Sequence, residues 1–177
     1  VASKTSKLQD RIAKAEWPER FNYPLDPRIE CTGFEVGSCR VLGSKTVPLM
    51  ITFKTEEPLS EPLQMLYKIG DDLRQDALTL QMIILMDDLW KRDGLDMRLK
   101  PYACMALGPD CGIIEVVKNA STTSNINIEL GGLRAVLNHT TLLKWLKKHN
   151  PTEKQLNKAI ENFIYSCAGY SVITFVL

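Results

Sequence analysis

Nine residues, Lys68-Ile69-Gly70-Asp71-Asp72-Leu73-Arg74-Gln75-Asp76, constrain this chain more than any other stretch. A β-like run ends in them and a long helix begins. The first turn of a helix leaves backbone N–H groups unpaired and attracts negative charge, so Asp71 and Asp72 suit its start. From there Leu73, Ala77, Leu80, Ile84 and Trp90 keep a helical period, and Met82-Ile83 and Leu85-Met86 widen the apolar stripe. That pattern predicts a long, mostly buried helix. A strand handing over directly to such a helix calls for a fold that mixes sheet and helix. The same junction gathers a lysine, a glycine and three carboxylates where side chains and amides can converge on a ligand without breaking a ladder. As pattern alone, Lys68, Asp71 and Asp76 are equally a helix cap with a solvated ion pair, contributing about 0–1 kcal/mol.

Upstream, Lys4 to Ala15 reads as a short amphipathic helix carrying Leu8, Ile12 and Ala15 at near-helical spacing. Trp17 to Pro27, with three prolines, reads as an extended connector. Ile29-Glu30-Cys31, Glu35 to Leu42, Val47 to Phe53 and Met65 to Lys68 favour strands, parted by Gly33, Gly43-Ser44 and Glu56-Glu57-Pro58, and predict a small antiparallel sheet. Downstream, Met97 to Leu107 and Gly112 to Val117 read as strands around the turn Gly108-Pro109-Asp110. Ser121 to Val136 reads as a short helix and then a loop, and Thr140 to Lys148 as a helix. Thr152 opens the last helix with Gln155 three residues on, a capping-box arrangement, and this helix is expected to run to about Cys167 with a bend at Ala168-Gly169.

With 177 residues the chain can bury a substantial core. A net charge of +1 gives no global field that would recruit nucleic acid or a membrane, so an anionic partner must be met by a local site. There is no run of about 18 apolar residues, and Val1 to Arg20 lacks the basic-then-apolar order of a signal peptide. Five cysteines without a C-x-x-C, and only His139 and His149 besides, fit reduced thiols in a cytosolic protein and argue against a zinc site. Both histidines read as surface residues flanking a helix. Lys144, Lys147 and Lys148 with His149 make a basic helix end, by default solvated, with a lipid-facing patch as the alternative.

Five blocks in order resemble the phosphoinositide 3-kinase catalytic domain. They are the Lys68 to Asp76 junction; Leu95-Asp96-Met97-Arg98-Leu99 with Pro101-Tyr102; Gly112-Ile113-Ile114-Glu115-Val116-Val117; and Ser166-Cys167-Ala168-Gly169-Tyr170, after a leading set of strands. The junction block alone also suits phosphatidylinositol 4-kinases, whereas Tyr102 and the Cys-Ala-Gly-Tyr block narrow the likeness toward class I or class II enzymes. The resemblance implies an α+β, protein-kinase-like (lipid kinase) fold, with an antiparallel-sheet N-lobe, a long helix and the start of a helical C-lobe. The composition turns from strand-rich to helix-rich after Val117. Residues 1–27 are then an N-terminal helix and linker, 28–117 the N-lobe and 118–177 the start of the C-lobe.

The resemblance also implies a site for ATP. Leu42, Gly43, Ser44 and Lys45 fall at the family's phosphate-covering turn, and Lys68 at its nucleotide lysine, the group that grips an ATP phosphate. Asp71 and Asp76 match the carboxylates beyond it, with Asp76 meeting the Tyr102 hydroxyl at the back of the pocket. On its residues alone, Tyr102 is equally an ordinary strand tyrosine and Glu115 a strand end. Glu115, Val116 and Val117 match the hinge that bonds the adenine edge. Met50 stands where many class I members have tryptophan, Thr46-Val47 replaces a more basic pair, and Ala77 replaces a frequent methionine. The implied reaction is transfer of the ATP γ-phosphate to the inositol 3-hydroxyl of a phosphoinositide at the membrane surface. The enzyme would be cytoplasmic and recruited peripherally, with a regulatory subunit if class I, and would bind no nucleic acid. The family's catalytic loop and Asp-Phe-Gly are absent from the 177 residues, so the Mg²⁺ ligands are expected beyond Leu177 and this stretch alone is expected to be inactive. The alternative is a non-catalytic, truncated or regulatory kinase-like interaction module.

Overall fold

The computed structural model describes residues 1–56, 62–131 and 140–177. Its elements run α1 (Ala2–Lys14), β1 (Phe21–Tyr23), β2 (Asp26–Phe34), a 3₁₀ turn (Val36–Ser38), β3 (Arg40–Val41), β4 (Leu49–Thr55), β5 (Leu63–Ile69), α2 (Arg74–Arg92), β6 (Cys104–Gly108), β7 (Cys111–Glu115), α3 (Thr123–Gly131), α4 (Thr141–His149) and α5 (Glu153–Val176). The chain divides into two compact units. One comprises Val1–Met82 and Pro101–Val116, the other Ile83–Lys100 and Val117–Leu177.

The first unit is an antiparallel sheet in the order β1-β2-β4-β5-β7-β6, with β3 paired to β4. Strand β4 is central, and Met50, Ile51, Thr52 and Phe53 are all buried. Because successive side chains alternate between faces, Ile51 and Phe53 point one way and Met50 and Thr52 the other. The Ile51 face closes on Ile12 of α1, Tyr23, Cys31 and Cys39. Phe21, Phe34 and Phe53 meet there, the Phe21 and Phe34 rings stacking at 5.4 Å. Such aromatic contacts add to the area they bury.

The connector expected over Trp17 to Pro27 contains a strand. Tyr23 pairs with Asp26 at the hairpin, which puts Pro24 in the turn, and the Asn22 side chain donates to the Pro27 carbonyl at 2.6 Å. The expected strand Glu35 to Leu42 is instead a 3₁₀ turn and a two-residue strand. Ser38 N–H folds back to the Glu35 carbonyl, and the buried Cys39 thiol donates to that same oxygen. The expected strand Met97 to Leu107 shortens to β6. Arg98 takes a left-handed φ of 53°, with its N–H on Asp96 Oδ1, and Pro101 follows. The Glu57-Pro58 part of the expected turn before β5, the loop following α3 and His139 lie outside the described residues.

Helix α2 has its expected extent, but it is not mostly buried. Leu80, Ile83 and Asp87 are buried, Asp87 with Lys91 at 2.6 Å, while Leu78, Ile84, Leu85 and Leu89 are exposed. Its apolar surface is wider than the arc that packs.

In the second unit, Lys148 on α4 pairs with Glu129 on α3. Helix α5 runs unbroken through Ala168-Gly169. Gly169 is there for close approach and not for a bend, since a Cβ at this position would stand 2.9 Å from Met97 Cβ and 3.0 Å from Leu99 Cδ2. The expected capping box is formed. Gln155 N–H donates to Thr152 Oγ1 at 3.3 Å and Thr152 N–H to Gln155 Oε1 at 3.2 Å. Thr152→Ala should therefore loosen the first turn of α5 by about 1 kcal/mol, seen as roughly fivefold faster local amide exchange in the full-length protein. Unchanged exchange there would show the cap to be idle.

Candidate functional site

The junction between β5 and α2 is built from the end of one strand and three local devices. Gly70 leaves the strand at a left-handed φ of 78°, which glycine adopts without a Cβ penalty, and its N–H donates to the Asp110 carbonyl at 2.7 Å. Asp72 accepts the Arg74 N–H at 3.1 Å and the Arg74 guanidinium at 2.6 Å, and those bonds hold its carboxyl below the ordinary range. Leu73 is 1% exposed and packs on Gly112 of β7, the residue directly paired with Lys68. The first turn of α2 is thus seated on the sheet next to the lysine.

Lys68 Nζ lies 2.9 Å from Asp71 Oδ2, with the side chains 25% and 39% exposed. A pair this wet adds little stability, and its physical effect is to fix where the ammonium sits. Met50 pairs with Leu66, and Leu66 shares a strand face with Lys68, so Met50, Leu66 and Lys68 lie on the sheet face opposite the aromatic core. Asp76 is exposed in the first turn of α2. Burial pushes the Cys104 thiol up, with the Asp76 charge adding to the rise and the Lys68 charge opposing it. Asp76 and Lys68 therefore act on one point of β6. Tyr102, half-buried, lies two residues before Cys104.

The turn from β3 to β4 carries Leu42, Ser44 and Lys45, the last two exposed. It is closed by Leu42 N–H to the Pro48 carbonyl at 2.9 Å and Val47 N–H to the Ser44 carbonyl at 3.1 Å. Val47 adopts φ of 48°, a strained conformation for a β-branched residue, so this tight shape is held against a local cost. At the other side of the sheet, Glu115 N–H donates to the Ala103 carbonyl at 2.8 Å and its carboxylate accepts the Ala103 N–H at 2.9 Å. Val116 N–H donates to the Gln64 carbonyl at 3.2 Å. Val117 is exposed and is the first residue of the second unit after β7.

The structure thus brings Lys68 to Asp71 and sets Met50 on the face that Lys68 shares. Two features escaped the residue pattern. Gly112 reads only as a strand residue, and the buried Tyr23 reads as part of a connector. Neither has a local signal, because Leu73, which packs on Gly112, and Gln64, which bonds Tyr23, each lie far along the chain.

Comparison with known proteins gives the family of the chain. The profile of the family "Phosphatidylinositol 3- and 4-kinase" matches residues 62–177, and the chain belongs to that family. Phosphatidylinositol 3-kinase 2 of Dictyostelium discoideum is 49% identical over 170 residues, which is 96% of this chain and 9% of the relative. Phosphatidylinositol 3-kinase 1 of the same organism is 41% identical over 187 residues, covering 100% of this chain and 12% of the relative. The human phosphatidylinositol 4-phosphate 3-kinase C2 domain-containing subunit beta is 44% identical over 154 residues, 87% of this chain and 9% of the relative. The chain spans about a tenth of the length of these relatives.

Proposed function

We propose that this chain is the nucleotide-binding part of a phosphoinositide 3-kinase, which transfers the γ-phosphate of ATP to the inositol 3-hydroxyl of a membrane phosphoinositide. The observation that carries the reading is the half-buried Lys68 ammonium, held by Asp71 at 2.9 Å on the sheet face it shares with Met50, in a chain of this family. One carboxylate oxygen leaves ammonium donors over for a phosphate, so the residues present fit the nucleotide. Phosphoryl transfer depends on positioning and on neutralising charge, and a fixed cation supplies both.

In this reading Leu42, Ser44 and Lys45 cover the phosphates and Lys68 grips one of them. Met50 packs on the adenine, Asp71 holds the lysine, and Asp76 with Tyr102 forms the back of the pocket. Glu115, Val116 and Val117 present backbone groups to the adenine edge. Residues 1–27, 28–117 and 118–177 then correspond to linker, N-lobe and the start of the C-lobe of a protein-kinase-like fold. Mg²⁺ would supply charge neutralisation on the phosphates. Among the described residues no three His, Cys, Asp or Glu side chains group as a metal set, and none is assigned to Mg²⁺. Among the described helices none is long and apolar enough to cross a membrane. In this reading the enzyme is recruited peripherally to the lipid, through a regulatory subunit if it is class I.

The test is the product of the full-length kinase on phosphoinositide vesicles with γ-labelled ATP. Label on the 3-position is expected. Label on the 4-position moves the chain to the other branch of the family, and no lipid label overturns the catalytic reading in favour of a non-catalytic module.

A further inference from the structure

We propose that Tyr23 is a positioning residue for the adenine-facing end of β7: through the carbonyl of Gln64, which it shares with the Val116 amide, it fixes where Val116 stands. The proposal rests on the nucleotide-site reading above.

Tyr23 is 4% exposed, and its hydroxyl donates to the Gln64 carbonyl at 3.1 Å, 41 residues along the chain. The same oxygen accepts the Val116 N–H at 3.2 Å. The paired residues of β5 and β7 run from Ile69 with Cys111 to Met65 with Glu115, so the Gln64 to Val116 bond is the rung after the last of them. A terminal rung has no neighbour beyond it and frays unless its acceptor is fixed. Here the acceptor is fixed twice. The Tyr23 ring stands edge-on to Phe53 at 5.1 Å, which aims the hydroxyl, and the Gln64 side-chain amide donates to Oγ1 of the fully buried Thr52 at 3.2 Å. On the other side, Glu115 is tied to Ala103 by two bonds. A buried tyrosine hydroxyl needs some acceptor, and any core carbonyl would satisfy it. This one is satisfied at the oxygen that also sets the strand end, so losing the hydroxyl frees Gln64 and Val116 together. Burial, with the charges of Glu115 and Cys31, pushes the Tyr23 phenol up to about 12, so it stays a donor at every pH at which the enzyme would work.

The experiment compares the full-length kinase with its Tyr23→Phe, Thr52→Val and Ile12→Val variants, reading KM for ATP, kcat and thermal midpoint. Tyr23→Phe and Thr52→Val should each raise KM for ATP about three- to tenfold while kcat stays within about twofold, because a contact made equally in ground and transition state is lost. Ile12→Val trims the same core away from the Gln64 carbonyl and should lower the midpoint with KM unchanged. An active wild type whose Tyr23→Phe variant keeps its KM overturns the positioning role alone. So does a KM that rises in all three variants in step with the midpoint, which marks a purely structural role. A wild type that neither binds ATP nor labels lipid overturns the nucleotide-site reading and this proposal with it.

Discussion

Lys68→Ala in the full-length kinase should lower kcat/KM for lipid phosphorylation by about 10²–10³-fold, while unfolding free energy changes by less than about 1 kcal/mol. The two magnitudes separate the two meanings of the same residue. If Lys68 serves only to cap the junction, its contribution is that of an ion pair with side chains 25% and 39% exposed, which solvent screens. Its removal then touches stability slightly and activity not at all. If it holds a phosphate whose charge is moving, its effect appears in catalysis, where preorganised charge is worth far more. Asp71→Asn is the companion variant. It keeps the ammonium but frees it from its 2.9 Å partner, so the lysine samples more positions and activity should fall less than in Lys68→Ala. A Lys68→Ala enzyme that retains more than about a tenth of wild-type turnover would remove Lys68 from the site.

The charged part of the junction was readable in the residues because it is local. The lysine, the glycine that turns the chain, Asp71 beside the ammonium and Asp72 on the Arg74 N–H fall within nine positions, and the geometry uses them at that spacing. The Thr152 to Gln155 cap was readable for the same reason. Elements set by distant partners were not. The chain through Phe21–Tyr23 carries proline signals that oppose a strand, and it becomes one only because Glu30 and Cys31 offer a ladder. Ala168-Gly169 looks like a weak point in a helix, yet the missing side chain at Gly169 is what lets Met97 and Leu99 approach. The stripe on α2 shows that the helix is amphipathic, but not how much of the stripe is covered. Of the candidate site, Lys68 and Asp71 could be paired from sequence spacing. That Met50 shares their face follows from the β4 to β5 register, which no local pattern sets.

Gly112 gives the sharpest conflict between local preference and packing, and the sign of its substitution decides which governs. In a strand interior, glycine is disfavoured relative to alanine by roughly 0.5–1 kcal/mol, so Gly112→Ala should stabilise β7 if only the backbone mattered. In the folded chain a Cβ there would stand 2.6 Å from the Met105 carbonyl oxygen and 2.7 Å from Leu73 Cδ1. Neither neighbour can retreat cheaply. Met105 is held in the β6 ladder, and Leu73 is 1% exposed beneath the first turn of α2. Overpacking of this kind costs about 1–3 kcal/mol, which outweighs the backbone gain, so Gly112→Ala should destabilise the full-length protein in chemical denaturation. Because Lys68 is the ladder partner of Gly112, a displaced helix start should also shift the Lys68 to Asp71 pair and weaken ATP binding. A double-mutant cycle isolates the contact. Leu73→Ala alone should cost about 2–5 kcal/mol as a cavity, but combined with Gly112→Ala the new methyl fills part of that space, and the pair should cost less than the sum. Strict additivity, or a Gly112→Ala protein more stable than wild type, would mean that α2 is not seated on the sheet through this contact.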